Sequence, residues 1–157
     1  MGSNVGDRGG YLAAGLAALR ASDGIEVVAA SPVYETDPVG PSPQRRYLNG
    51  VIRLTTVLEP RALLGRLLEI EAANGRTRGS DRDAPRTLDL DLLLYGARKL
   101  IGPGLEVPHP RLAGRPFVLE PLCDLAPDLI HPILGETIEV LARRVRDLSA
   151  VRRHTSQ

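Results

Sequence analysis

Residues 25–55, IEVVAASPVYETDPVGPSPQRRYLNGVIRLT, decide the fold class. The first ten, 25–34, are rich in Val and Ile and read as a strand. Residues 47–55 alternate: Leu48, Ile52 and Leu54 face one side, and Tyr47, Asn49 and Arg53 the other. The intervening stretch, 35–46, holds three prolines and a glycine, which predicts a loop and leaves no room for a helix. Parallel neighbours need a crossover connection, usually helical, so this order points to an α+β sandwich with a mostly antiparallel sheet.

Helices flank that pair. Leu12, Leu16 and Leu19 give residues 8–22 the i, i+4, i+7 spacing of an amphipathic helix. Pro60 suits a first helical turn, and Leu63, Leu64, Leu67, Leu68 and Glu71 continue that helix to a stop at Gly75. Residues 87–95, TLDLDLLLY, read as a further strand. A Pro-rich turn at 107–110 and a short apolar helix at 117–125 follow. A last helix over 136–148 carries Ile138, Leu141, Val145 and Leu148 on one face.

With 157 residues, 43% of them apolar, the chain can enclose the core of one domain. Charges of both signs are interspersed and sum to +1, which excludes wholesale disorder and gives no whole-molecule case for nucleic acid. No apolar run approaches the roughly 20 residues that a membrane-spanning helix needs. The polar, Gly-rich start, MGSNVGDRGG, carries no readable signal peptide. Cys123 is the single cysteine, so an internal disulfide and a cysteine-based zinc site are excluded, and a reducing cytoplasm is expected. Cys123 itself reads as core packing.

The chemistry gathers around Leu88-Asp89-Leu90-Asp91-Leu92. Alternation on a strand sends Asp89 and Asp91 out from one face, roughly 7 Å apart, and the leucines into the core. Two such carboxylates suit Mg²⁺, which takes oxygen ligands and keeps places for water and phosphate. An acidic outer face with no ligand is the plainer alternative. Just upstream, Arg76, Arg78, Arg82 and Arg86 fall within eleven residues, and planar guanidinium groups bind phosphate oxygens in pairs. Together, loop and carboxylates favour a nucleotide polyphosphate site, although no Gly-rich phosphate loop ending in Lys-Ser/Thr is present. Weaker candidates are Tyr47 and Asn49 on the polar side of their strand, His109 in a rigid turn, and the pair Arg115 and Phe117. His131 and His154 have no partners at metal-ligand spacing.

The segments GSNVGDR (2–8), SPVYETDPVG (31–40), YLN (47–49), EIEAANGRTR (69–78), PRTLDLDLLLYG (85–96) and VPHPRLAGRPFVLEPL (107–122) occur in one order. In this the chain resembles the 6-hydroxymethyl-7,8-dihydropterin pyrophosphokinases of folate biosynthesis. The resemblance implies a ferredoxin-like core elaborated into a three-layer α/β/α sandwich. It implies transfer of the β,γ-pyrophosphoryl group of ATP to the pterin hydroxymethyl oxygen, releasing AMP. Asp89 and Asp91 would hold two Mg²⁺ ions, and Arg76 and Arg86 would steady the triphosphate. Glu71, Arg78, His109 and Arg115 match nucleotide-contacting positions. Tyr47 and Phe117 match aromatic walls for the pterin, Thr36 and Asn49 its hydrogen-bonding positions, and Val39 an apolar wall.

The resemblance further implies one pyrophosphokinase domain over 1–157, acting as a monomer in the cytoplasm. Loops 35–46 and 75–86 would close over the substrates. Two positions that are commonly aromatic in the family hold Asp83 and Pro110 here. The family's first strand lies just before the GSN motif, so that strand is expected to be missing or truncated before Gly2. A ferredoxin-like module that binds a small ligand without catalysis is the alternative, and a nucleotidyltransferase acting on nucleic acid is disfavoured by balanced charge and few aromatics.

Overall fold

In the computed structural model, which describes residues 1–37, 45–76 and 86–155, all paired strands run antiparallel. The strands are β1 (Gly2–Ser3), β2 (Ile25–Ala30), β3 (Tyr34–Thr36), β4 (Tyr47–Asn49), β5 (Ile52–Thr56), β6 (Leu100–Gly102), β7 (Leu105–Val107) and β8 (Val151–Arg153). They form a four-stranded sheet, ordered β1-β4-β3-β8, and two-stranded ladders β2-β5 and β6-β7. Helices α1 (Arg8–Arg20), α2 (Pro60–Ala73), α3 (Pro116–Leu125) and α4 (Ile138–Val145) complete an α+β fold.

The expected strand over 25–34 is two strands in different sheets, and so is 47–55. Pro32 cannot donate to a ladder, and the β2-β5 register already slips between Val27 and Ala29. At the break, Ser31 ties the two hairpin arms: its N–H donates to the Val51 carbonyl, and its hydroxyl accepts from the Val51 N–H, both at 2.9 Å. The chain then re-pairs as β3 and β4, with Tyr34 opposite Asn49 and Thr36 opposite Tyr47. Glu35 and Thr36 are therefore strand residues, outside the expected loop. Asn49, expected on a polar outer face, is buried.

Residues 87–95 do not form a regular strand. Their antiparallel neighbour, β1, is two residues long, so only Asp89 pairs, exchanging N–H···O bonds with Gly2 at 2.9 and 2.8 Å. The alternation survives without the ladder. Leu88 and Leu90 are buried, while the Asp89 and Asp91 side chains retain 18% and 41% of their exposure. The two-residue β1 is flanked by β4 on one edge and Asp89 on the other. The final helix is shorter than expected: Thr137 caps α4 through its hydroxyl, and residues 146–148 tighten into a 3₁₀ turn. Hairpin β6-β7 and strand β8 are additions to the sequence reading.

Two apolar clusters hold these elements. Leu12 and Leu19 of α1, Leu63, Leu67 and Ile70 of α2, and Leu48, Leu88 and Leu90 form one. Val118, Leu119 and Leu122 of α3, with Ile138, Leu141 and Val145 of α4 and Val51, form the other. Helix α1 meets Leu88 at Gly15, where a Cβ would lie 3.0 and 3.1 Å from the Leu88 methyl carbons. Gly15→Val is accordingly expected to destabilise the protein by about 1–3 kcal/mol through overpacking, measured by urea denaturation. An unchanged midpoint would mean that Leu88 yields freely.

Candidate active site

An open cleft of about 1390 Å³ lies where β3, β4, the 88–93 segment, α2 and the start of α3 converge. Its walls include Thr36, Tyr47, Asn49, Glu71, Arg76, Arg86, Asp89, Asp91, His109, Arg115 and Phe117. Residues from six separate sequence segments thus meet in one space. Val39, Arg78 and Asp83 lie outside the described residues, as do the central parts of the two loops expected to close.

One wall is an ionic lock. Glu71 ends the helix face that runs Leu64, Leu68, Glu71 along the cleft, and its side chain is only 2% exposed. One of its oxygens accepts from the Leu90 N–H at 2.7 Å and from the Arg76 guanidinium. Arg76 also pairs with Asp89 Oδ1, and Arg86 with Asp89 Oδ2. Burial alone would raise the Asp89 pKa, but Arg86 and Arg76 outweigh it and hold the carboxyl below its usual range. Asp89 is thereby kept ionised, as a cation ligand requires.

Asp91 is looser. The basic side chains facing it are Arg115, at 3.4 Å, and His109, whose Nε2 lies at 3.9 Å. The Arg111 N–H donates to His109 Nδ1 at 3.1 Å, which leaves Nε2 as the protonated nitrogen of the neutral ring, turned toward Asp91. Burial lowers the His109 pKa, opposed by Asp91 and reinforced by Arg115 and Arg111. Arg115 also lies over the Phe117 ring, 5.5 Å from its centroid.

The other end of the cleft is quieter electrostatically. Asn49 Nδ2 donates to the Thr36 hydroxyl at 2.8 Å, and both residues are buried. Tyr47 and Phe117, the aromatic candidates, line the same space. Beyond Glu71, Leu64, Leu68, Leu92 and Leu105 give the cleft an apolar extension. Sequence reading missed these leucines because Leu64 and Leu68 resemble ordinary core positions beside Leu63 and Leu67. The signal was a second stripe, 64, 68, 71, on the same helix.

Fold and site define an α+β protein whose open cleft is edged by paired carboxylates, arginines and a histidine. Comparison with known proteins supplies the family. The sequence profile described as 7,8-dihydro-6-hydroxymethylpterin-pyrophosphokinase matches residues 1–127. A Pseudomonas aeruginosa protein named 2-amino-4-hydroxy-6-hydroxymethyldihydropteridine pyrophosphokinase is 46% identical over 142 residues, covering 90% of this chain and 87% of that one. A Synechocystis protein of the same name is 44% identical over 151 residues, covering 96% and 76%. An Arabidopsis thaliana protein named Folate synthesis bifunctional protein is 46% identical over 125 residues, 80% of this chain and 26% of that one. The chain belongs to the 7,8-dihydro-6-hydroxymethylpterin-pyrophosphokinase family.

Proposed function

We propose that residues 1–157 work as a single pyrophosphokinase domain in which the cleft holds ATP and a hydroxymethyl-dihydropterin side by side. The chain is an ATP-dependent diphosphokinase of folate synthesis. It joins the pterin's hydroxymethyl oxygen to the β-phosphorus of ATP. The bond from that phosphorus to the α,β-bridging oxygen breaks, AMP leaves, and the hydroxyl proton passes to solvent. The observation that carries this reading is the convergence of Arg76, Arg86, Asp89, Asp91, His109 and Arg115 on one cleft.

The donor chemistry at Asp89 and Asp91 fits Mg²⁺: both are carboxylates, two residues apart, and Asp91 is open to the cleft. Asp89 and Asp91 would hold two such ions, whose chemistry when bound would be neutralisation of phosphate charge and acidification of the hydroxyl. The protein's own side chains supply positioning and charge. Arg76 and Arg86 lie where a triphosphate would exchange carboxylate partners for phosphate oxygens, neutralising charge as the bridging oxygen departs. Arg115 and the Nε2–H of His109 extend that cationic edge. The leucine-lined extension at Leu64, Leu68, Leu92 and Leu105 suits the flat apolar faces of the adenine ring. Tyr47 and Phe117 would flank the pterin ring, with Thr36 and Asn49 reading its polar edge. Val39 and Arg78 are proposed as further pterin and nucleotide contacts on the resemblance alone.

The finer architecture is proposed to be a ferredoxin-like core within a three-layer α/β/α sandwich, supported by its antiparallel sheet and two helix-bearing clusters. Action as a monomer is proposed on the resemblance alone. The free thiol of Cys123 is compatible with the cytoplasm, and among the described residues no helix is long and apolar enough to cross a membrane. A ligand-binding module without chemistry is not favoured, since paired carboxylates beside arginines have no role there.

The test is nucleotide chromatography after incubation with Mg²⁺, ATP and 6-hydroxymethyl-7,8-dihydropterin. AMP is expected, and only when the pterin is present. ADP in its place would mean single phosphoryl transfer and overturn the proposal.

A further inference from the structure

Strand β8 lies outside the span matched by the family profile, yet it forms the outer edge of the strand that carries Thr36. Its residues Val151, Arg152 and Arg153 pair with Thr36, Glu35 and Tyr34, and the His154 N–H adds a bond to the Val33 carbonyl at 2.8 Å. Strand β3 is thus paired on both edges, by β8 and by β4 with Tyr47 and Asn49. Leu148 and Ser149, one residue short of β8, line the cleft themselves.

A three-residue strand is a weak clasp, and side chains lock it. Arg153 Nε donates to the Tyr34 hydroxyl at 3.2 Å, and its Nη2 to Asp124 Oδ1 at 2.8 Å. The Tyr34 hydroxyl donates in turn to Asp124 Oδ2 at 2.6 Å. The guanidinium also lies 5.9 Å from the Tyr34 ring centroid. Asp124 belongs to α3, seven residues after Phe117 and so on nearly the same helix face. The triangle therefore joins β8, β3 and α3, the last two of which carry Thr36 and Phe117, both lining the cleft.

We infer that β8 is a strap that sets the spacing between Thr36 on β3 and Phe117 on α3, with Arg153 as a positioning residue acting through Tyr34 and Asp124. The inference rests on the assignment of Thr36, Asn49 and Phe117 to the pterin. Exposed ion pairs contribute little stability, and Arg153 is largely exposed. Its loss should therefore be read in substrate affinity more than in folding. Of the proposed nucleotide contacts, Glu71, Arg76 and Arg86 lie on or just after α2 and beside the 88–91 segment, and only Arg115 sits at the head of α3, so ATP should be affected far less than the pterin.

The experiment compares the unaltered chain with Arg153→Glu and Arg153→Lys in steady-state AMP formation, varying each substrate in turn, alongside thermal unfolding. Arg153→Glu is expected to raise the KM for the pterin about tenfold, leaving that for ATP within about twofold and kcat at saturation nearly unchanged. Arg153→Lys keeps a charge for Asp124 and should recover most of the loss. An unchanged pterin KM in Arg153→Glu, or equal losses for both substrates with a lowered Tm, overturns the inference while leaving the enzymatic reading intact. Failure of the unaltered chain to make AMP overturns both.

Discussion

Asp91→Ala is expected to cut turnover by roughly 10²–10³-fold while leaving the Tm within a degree or two of the unaltered protein. The two halves of that expectation have separate causes. The Asp91 side chain is 41% exposed and its closest cationic partner stands at 3.4 Å, long for a charge-assisted bond. A loose, solvated pair of this kind contributes little to folding. The carboxylate is nevertheless the accessible oxygen donor beside a partner, Asp89, whose two oxygens already hold arginines. Its removal would take away a proposed cation ligand and leave Arg115 and His109 without the carboxylate they face. Measurement pairs AMP formation at saturating Mg²⁺, ATP and pterin with thermal unfolding. Near-parental turnover would remove Asp91 from the cation site, and a large fall in Tm would recast it as a structural residue.

The placement of that carboxylate was legible because strand-like alternation needs no ladder. Leu88 and Leu90 enter the core whether or not 87–95 pairs regularly, and the intervening acids face out. The same property hid the break at Ser31 and Gly50. Apolar alternation continues through both, and the change of sheet depends on Pro32 and on Ser31 bonding across to Val51. Strand β8, Val-Arg-Arg, has no apolar period at all; a ready edge on β3 and the Tyr34–Asp124 pair create it. The candidate residues that line the cleft were legible as types and positions, through the motifs that carry the family resemblance. Their mutual arrangement was not, because Glu71 and Asp89 come together only when α2 packs against the 88–90 segment.

Glu71→Ala is expected to have the opposite profile to Asp91→Ala, with a loss of about 3–5 kcal/mol in folding stability. Glu71 read as the last member of an apolar helix stripe matching a nucleotide-contacting position. The structure adds that its carboxylate is buried and bonded to both Arg76 and the Leu90 N–H. Truncation would leave that N–H without its acceptor beside the core, and Arg76, only 13% exposed, with less negative charge around it. At this chain length, such a loss lowers the Tm by roughly 10 °C. Glu71→Gln keeps the shape and an acceptor for Leu90 while removing the charge, so it should recover part of the stability. Urea denaturation of both variants decides the matter, and equal stability of Glu71→Ala and the unaltered chain would refute it.

The reason for such a lock lies in the charge balance of the cleft wall. Glu71 and Asp89 together match Arg76 and Arg86, so two arginines can be held ready at the cleft wall without repelling one another. A triphosphate offers replacement acceptors to both. Arg76 can then turn toward phosphate while Glu71 stays anchored on Leu90, so a change of partner need not disturb the helix. Glu71→Gln separates these roles: its fold should largely persist, but a less firmly held Arg76 should raise the KM for ATP.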